Sequence, residues 1–348
     1  MSFIIVVLII FISIIAFIHY SGPRLGYETL RIIDETLNEE LPELITGKTG
    51  FVLSNDVKIW YELISPATPP KGVICLLMSN AADALMWPPS FIKRFTSAGF
   101  EVLRFDHRGT GQSDWMANWS KENAYSLSDM ATDVKSILDA LDISRVHLFG
   151  FSLGGMIAQE IAINYPDRAL SLTLLMTTGD ATDSTMKVFS MKHLIGSFIR
   201  SIPIMRYRIL GGERNLVIER ILRMQLALGH GSFDVKETAQ QVLYDLRKRK
   251  GINIKAVFQH FRAVAISGSR YDQLKRVNLP TLIIHGTNDE IFPLEHGEKL
   301  VELIPNADII LLDGVGHIFP FPNMDALITK VIENMSARTT ASNAIHEK

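Results

Sequence analysis

From Phe3 to Ile18 the chain is an apolar run dominated by isoleucine, valine and phenylalanine, close to the shortest stretch that crosses a bilayer as a helix. Residues 1–20 therefore read as an N-terminal membrane anchor. Over 21–48, Leu30, Ile33, Leu37, Leu41 and Leu44 recur at helical spacing against acidic Glu28, Asp34, Glu35, Glu39, Glu40 and Glu43, which predicts an amphipathic spacer helix packed on the parent domain. Between about 49 and 178 short apolar runs alternate with helical periods, such as Met130, Val134, Ile137, Leu138 and Leu141. That alternation predicts a doubly wound, mostly parallel sheet of the α/β class. Strand signals vanish over 179–272, where helical patterns rich in methionine and phenylalanine predict an inserted helical cap. The alternation returns over 273–336, and the polar tail 337–348 is expected to be disordered.

Gly150-Phe151-Ser152-Leu153-Gly154 carries the chemistry. Glycines two residues either side of a serine suit a sharp strand-to-helix turn, where side chains would collide with neighbouring backbone. The context fits, because Val146 to Phe149 reads as a buried strand and Met156 to Tyr165 as a helix. Two later apolar runs, Thr281–Ile284 and Ile309–Leu312, lead into Asp289 and His317. Each places a titratable group just after a strand. The chain order Ser152, Asp289, His317 is nucleophile, acid, base. Asp180 follows the run Leu172 to Met176 and is the alternative acid.

These motifs resemble those of the α/β-hydrolase superfamily from about Phe51 to Met335. Phe105-Asp106-His107-Arg108-Gly109-Thr110-Gly111-Gln112-Ser113 looks like the family's Asp-x-Arg-Gly-x-Gly-x-Ser turn, and Leu76 to Ala82, followed by Trp87, has the spacing of its oxyanion-hole loop. The chain is most similar to the aclacinomycin methylesterase group of esterases. The resemblance implies an α/β-hydrolase fold with a cap, and an oxyanion hole built from the backbone N–H groups of Leu153 and Asn80. One departure stands out. The family has glycine immediately before the oxyanion-hole residue, whereas this chain has Ser79, so that either the loop is displaced or the Asn80 side-chain amide contributes as well. A serine nucleophile and the lack of a His-Gly-x-Pro segment argue against an epoxide hydrolase.

Composition narrows the partners. A net charge of −2 gives no pull toward nucleic acid, and no zinc-finger, P-loop or dinucleotide fingerprint is present. The chemistry requires no metal or organic cofactor. The single cysteine, Cys75, sits in an apolar strand and reads as core. His107 and His285 occupy turns beside strands and read as packed or hydrogen-bonded rather than catalytic. Within 179–272 lysine and arginine outnumber aspartate and glutamate by 8. Its run Arg247-Lys248-Arg249-Lys250 reads first as a solvated helical surface, and alternatively as a face turned toward anionic lipid. Arg24 and Arg31 follow the apolar run and no basic residue precedes it, which places the catalytic domain on the cytoplasmic side.

The sequence thus predicts a membrane-tethered serine hydrolase that cleaves a carboxylic ester of a lipophilic small molecule or lipid through an acyl-enzyme. Thioesterase or carbon–carbon bond hydrolase chemistry with the same triad is the alternative. A non-catalytic ligand receptor on a hydrolase scaffold is a further one.

Overall fold

The computed structural model describes residues 3–20, 22–186, 202–228, 233–319 and 324–336; the tail expected over 337–348 lies outside them. Eight strands form one sheet: β1 (Lys48–Ser54), β2 (Val57–Ile64), β3 (Val73–Leu77), β4 (Glu101–Phe105), β5 (Val146–Phe151), β6 (Ala169–Leu175), β7 (Thr281–Gly286) and β8 (Ala307–Leu312). Their order is β1-β2-β4-β3-β5-β6-β7-β8. The β1–β2 and β2–β4 pairs are antiparallel and the others parallel. Asn55 and Asp56 both take positive φ between β1 and β2, the backbone that a tight two-residue hairpin demands.

The described helices are α1 (Phe3–Tyr20), α2 (Tyr27–Asn38), α3 (Pro89–Ser97), α4 (Leu127–Ala140), α5 (Leu153–Asn164), α6 (Glu213–Leu228), α7 (Val235–Lys248), α8 (Ile254–Ser267), α9 (Tyr271–Leu274), α10 (Leu294–Leu303) and α11 (Met324–Ser336). A further helical stretch covers 202–210. Every residue of β3, β5 and β7 is buried, as parallel strands covered on both faces require. The strand period of two divides them between layers. Val73, Cys75 and Leu77 join α4, α5 and α10 on one face, while Ile74 and Leu76 join Phe91 and Phe95 of α3 and Val331 of α11 on the other. Burial also pushes the Cys75 thiol pKa up, in keeping with a core role.

The apolar run at the N-terminus forms α1, but it is not a membrane span. Eighteen residues at 1.5 Å each reach about 27 Å, short of the roughly 30 Å hydrocarbon layer, and the last two are His19 and Tyr20. Among the described residues no helix is long and apolar enough to cross a membrane. The C-terminal end of α1 is instead tied to the protein, with Arg206 Nη1 donating to Ile18 O at 3.0 Å. The expected anchor, the membrane as a partner and the cytoplasmic placement derived from them are therefore corrected.

The amphipathic stripe that follows packs as its pattern requires. Ile33 is fully buried, and Leu30 and Leu37 lie against Val217 and Ile221 of α6 and Leu243 of α7. The helix stops earlier than expected, with Glu39 extended, because Pro42 disfavours helical geometry at Leu41. The basic run at the end of α7 is in large part the solvated face expected, since Arg247, Lys248 and Lys250 are exposed, but the Arg249 side chain is buried. Arg247 pairs with Glu213 at 2.6 Å and Lys248 with Glu43 at 3.4 Å. Buried Arg249 pairs with Asp106 and, at 3.5 Å, with Asp83. Lys250 Nζ donates to the carbonyls of Gln112 and Ser113 at 2.9 and 3.0 Å. Arg249 and Lys250 thus fasten the inserted helices to the turn after β4, while Arg247 and Lys248 pair at the surface.

A second fully buried ion pair lies at the antiparallel end of the sheet. Arg104 Nε donates to Glu62 Oε2 at 2.7 Å, and the other carboxylate oxygen accepts from the amides of Thr46 and Gly47, both at 2.7 Å. Arg104 Nη2 also donates to Leu44 O at 2.5 Å, so one guanidinium joins β4 to the segment entering the sheet. Arg104→Met is expected to lower unfolding free energy by about 3–5 kcal/mol, because Glu62 is left buried and uncompensated; equilibrium urea unfolding checks the value.

Candidate active site

Ser152 sits between β5 and α5 with φ 54° and ψ −114°. That left-handed backbone is costly for a side-chain-bearing residue, and close packing sustains it. A Cβ on Gly150 would lie 2.4 Å from Gly154 O, and one on Gly154 would lie 2.0 Å from Leu77 O. Both glycines are therefore required for α5 to start hard against β3. Ser152 N donates to Leu175 O at 2.9 Å and its carbonyl accepts from Thr177 Oγ1 at 2.7 Å. Oγ is thereby aimed out of the C-terminal edge of the sheet.

The sequence-predicted partners converge on it. His317 Nε2 lies 3.0 Å from Ser152 Oγ, and His317 Nδ1 lies 2.8 Å from Asp289 Oδ2. The other Asp289 oxygen accepts from the amides of Ile291 and Phe292 at 2.8 and 2.9 Å, so the carboxylate is fixed by its own turn. The imidazole is wedged between Phe151 and Phe292, with ring centroids 5.3 and 5.6 Å away. Asp180, the alternative acid, spends Oδ1 on the amide and hydroxyl of Thr182 at 2.6 and 2.7 Å. His285 donates through Nε2 to Phe292 O at 2.7 Å, and burial pushes its pKa down; it buttresses the turn that holds Asp289.

The loop after β3 lies beside this group. Asn80 Oδ1 is buried without a hydrogen-bond partner, and the residue lines a cavity of about 490 Å³. Phe151 and Phe319 border that cavity from the sheet side, while Leu216, Val242 and Val257 close it from the inserted helices. Leu153 is the first residue of α5, and amides in a helix's first turn have no intrahelical acceptor. Among the described residues no group of three or more His, Cys, Asp or Glu is placed to hold a metal ion.

Such an arrangement of hydroxyl, imidazole and carboxylate at the edge of a parallel sheet is a hydrolase geometry. The chain belongs to the alpha/beta hydrolase fold family, whose model matches residues 72–323. It is similar to rhodomycin D methylesterase DauP of Streptomyces sp. (strain C5), 28% identical over 307 residues covering 84% of this chain and 99% of that protein. It is also similar to a 2-hydroxy-6-oxononadienedioate/2-hydroxy-6-oxononatrienedioate hydrolase of Cupriavidus pinatubonensis, 28% identical over 70% of this chain and 78% of that protein. Among solved structures, the meta-cleavage product hydrolase CumD of Pseudomonas fluorescens IP01 shares the fold with a TM-score of 0.57 at 21% identity, over 85% of this chain and 99% of that one.

A buried charge cluster beside the cavity escaped the sequence reading. Asp106 accepts from the amides of Ala84 and Gln112 at 2.9 and 2.7 Å and pairs with Arg249. Asp83 and Asp245 flank the same guanidinium at 3.5 and 3.9 Å. Three carboxyls thus surround one arginine. Arg249 had read as one member of a basic run, and only the docking of α7 buries it. Burial, together with neighbouring Asp83, pushes the Asp245 carboxyl up to about 8. The folded protein therefore holds a proton there that the unfolded chain, at about 3.9, releases. Stability contributed by this group falls as pH rises from about 4 to 8. Asp245→Asn is expected to flatten that decline, measured as Tm against pH over this range; an unchanged slope counts against a protonated Asp245.

Proposed function

We propose that the protein is a serine hydrolase that cleaves carboxylic esters through an acyl-enzyme. The observation that carries the reading is His317 bridging Ser152 Oγ and Asp289 within hydrogen-bond distance on both sides. His317 takes the Ser152 proton as Oγ attacks the ester carbonyl, and Asp289 stabilises the resulting imidazolium and fixes the ring's orientation. The alcohol leaves with the proton returned by His317. The same imidazole then activates water to release the acid. The amides of Leu153 and Asn80 are the proposed oxyanion donors. The described helices of the inserted segment act as a cap that lines the cavity with Leu216, Val242 and Val257 beside Arg208, Glu219 and Arg220, and its apolar part suits a lipophilic acyl or alcohol group. The similarity to a rhodomycin D methylesterase supports an ester as substrate.

Hydrolysis of a carbon–carbon bond by the same residues is the second reading, favoured by the similarity to the dienedioate hydrolase. Turnover of that dienedioate in preference to any ester would assign it.

A fluorophosphonate probe is expected to label Ser152, and Ser152→Ala to abolish both labelling and p-nitrophenyl ester turnover; labelling at another serine, or undiminished turnover, overturns the assignment. Asp289→Asn is expected to lose roughly 10²-fold to 10⁴-fold in kcat through the wrong histidine tautomer, with Asp180→Asn within a few-fold of the parent. Steady-state kinetics of the two variants side by side checks the ranking.

A further inference from the structure

The loop leaving β3 carries Ser79 before Asn80, and its one positive φ, 53°, lies at Ala81. Ala82 N donates back to Ser79 O at 3.3 Å, which closes a turn around Asn80. Two histidines bracket that turn. His107 Nε2 donates to Met78 O at 2.9 Å, one residue before the Ser79–Asn80 pair. His260 Nδ1 accepts from Ala81 N at 3.1 Å, one residue after it. The two rings meet edge to face with centroids 6.0 Å apart.

His260 has only one way to make its bonds. Its Nε2 lies 2.9 Å from Arg108 O, a carbonyl that can only accept, so Nε2 carries the proton and Nδ1 is the bare acceptor that Ala81 needs. The ring is fully buried, and burial, with His107 nearby, pushes its pKa down to about 3. It therefore stays neutral and keeps this tautomer at ordinary pH. His260 lies on α8, at the far end of the inserted segment from Ser152 in sequence, yet it is bonded to the amide adjoining Asn80.

Taking Ser152 as nucleophile and the Asn80 amide as an oxyanion donor, as proposed above, we infer that His260 is a positioning residue for the reaction. It holds the Asn80–Ala81 peptide in place from the inserted helices, and so restrains the oxyanion loop through the amide that follows Asn80. A preorganised donor acts only if it lies within tenths of an ångström of its place before charge develops. A bond to the next amide in the chain is a direct way to secure that.

The test uses the full chain with His260→Phe, which keeps a ring and removes both hydrogen bonds, and His260→Gln, whose carbonyl can accept from Ala81 and whose amide can donate to Arg108. On a p-nitrophenyl ester, His260→Phe is expected to lose about 10²-fold in kcat, the scale of one oxyanion donor, with KM within threefold. His260→Gln is expected to recover to within about tenfold of the parent. Equal losses in the two variants, or kcat within threefold of the parent for a folded His260→Phe, overturn the inference. Should the phenylalanine variant not fold, long-range ¹H–¹⁵N NMR of the parent decides. A neutral Nε2–H ring at pH 7 together with rescue by glutamine supports the assignment, while an Nδ1–H or charged ring overturns it. Ser152→Ala separates the two levels: full turnover by that variant removes the serine-hydrolase reading itself, whereas its inactivity beside a normal His260→Phe removes only the role of His260.

Discussion

At φ 54° and ψ −114°, the backbone of Ser152 sits where a side chain costs on the order of 1–3 kcal/mol, and much of the surrounding architecture sustains it. The turn reverses direction within one residue, so α5 must begin almost on top of β3. Gly154 then faces Leu77 O at a distance no Cβ could share, and Gly150 faces the backbone of Gly154 in the same way. The strands β3, β5 and β7 are buried at every position because helices cover both faces. That dry, rigid support holds the strained turn fixed. Oγ, the His317 ring and the Asp289 carboxylate therefore meet from three separate strand ends without any one loop having to carry the geometry.

The inserted helices are held to this scaffold by directional polar bonds as well as by apolar contacts. The contacts of α2, α6 and α7 form an apolar cluster of their own around Ile33 and Ile221, distinct from the two layers that cover the sheet. Some apolar side chains cross between them, Met224 of α6 into the layer of Phe91 and Ala263 of α8 into the layer of Val134, and polar bonds cross as well. Arg249 reaches Asp106 at the end of β4, Lys250 reaches two carbonyls of the Asp106-to-Ser113 turn, Asn253 Nδ2 donates to Gly109 O at 2.9 Å, and His260 reaches Arg108 and Ala81. An attachment of this kind is directional, since each bond has a preferred distance and angle. It fixes the orientation of the cavity wall, in which apolar Leu216, Val242 and Val257 stand beside charged Arg208, Glu219 and Arg220.

Much of this was legible in the sequence, and for identifiable reasons. The elbow, the order of Ser152, Asp289 and His317, and the strands before them depend on local chemistry: glycine where Cβ is forbidden, period-two or continuous apolar runs, and turn residues after each. Boundaries moved by a few residues. The helix whose apolar period begins at Met130 starts at Leu127 because Ser126 and Asp129 form a reciprocal cap. The failures lay where meaning depends on distant partners or on length. Arg249 looks identical to its exposed neighbours Arg247, Lys248 and Lys250 until α7 docks, and His260 has no sequence neighbour that announces a loop 179 residues away. The apolar run at the N-terminus matched a membrane span in composition, but 18 residues make a helix slightly shorter than the layer it would cross.

Ser79 shows how a local irregularity can be resolved by a non-local bond. Glycine in that position would give the loop its freedom without restraint, and the restraint would then have to come from packing against the sheet alone. With serine there, the positive φ lies two residues on, at Ala81, a position whose amide points at the inserted helices instead of the strand edge. A neutral histidine can accept from that amide only if its other nitrogen is committed as a donor, and Arg108 O supplies the commitment. Arg108 is itself fixed, donating to both oxygens of buried Asp133 at 2.8 and 2.6 Å. The bonds thus run from α4 through the turn after β4 and the α8 histidine to the loop beside Ser152, and each atom's role as donor or acceptor follows from the one before.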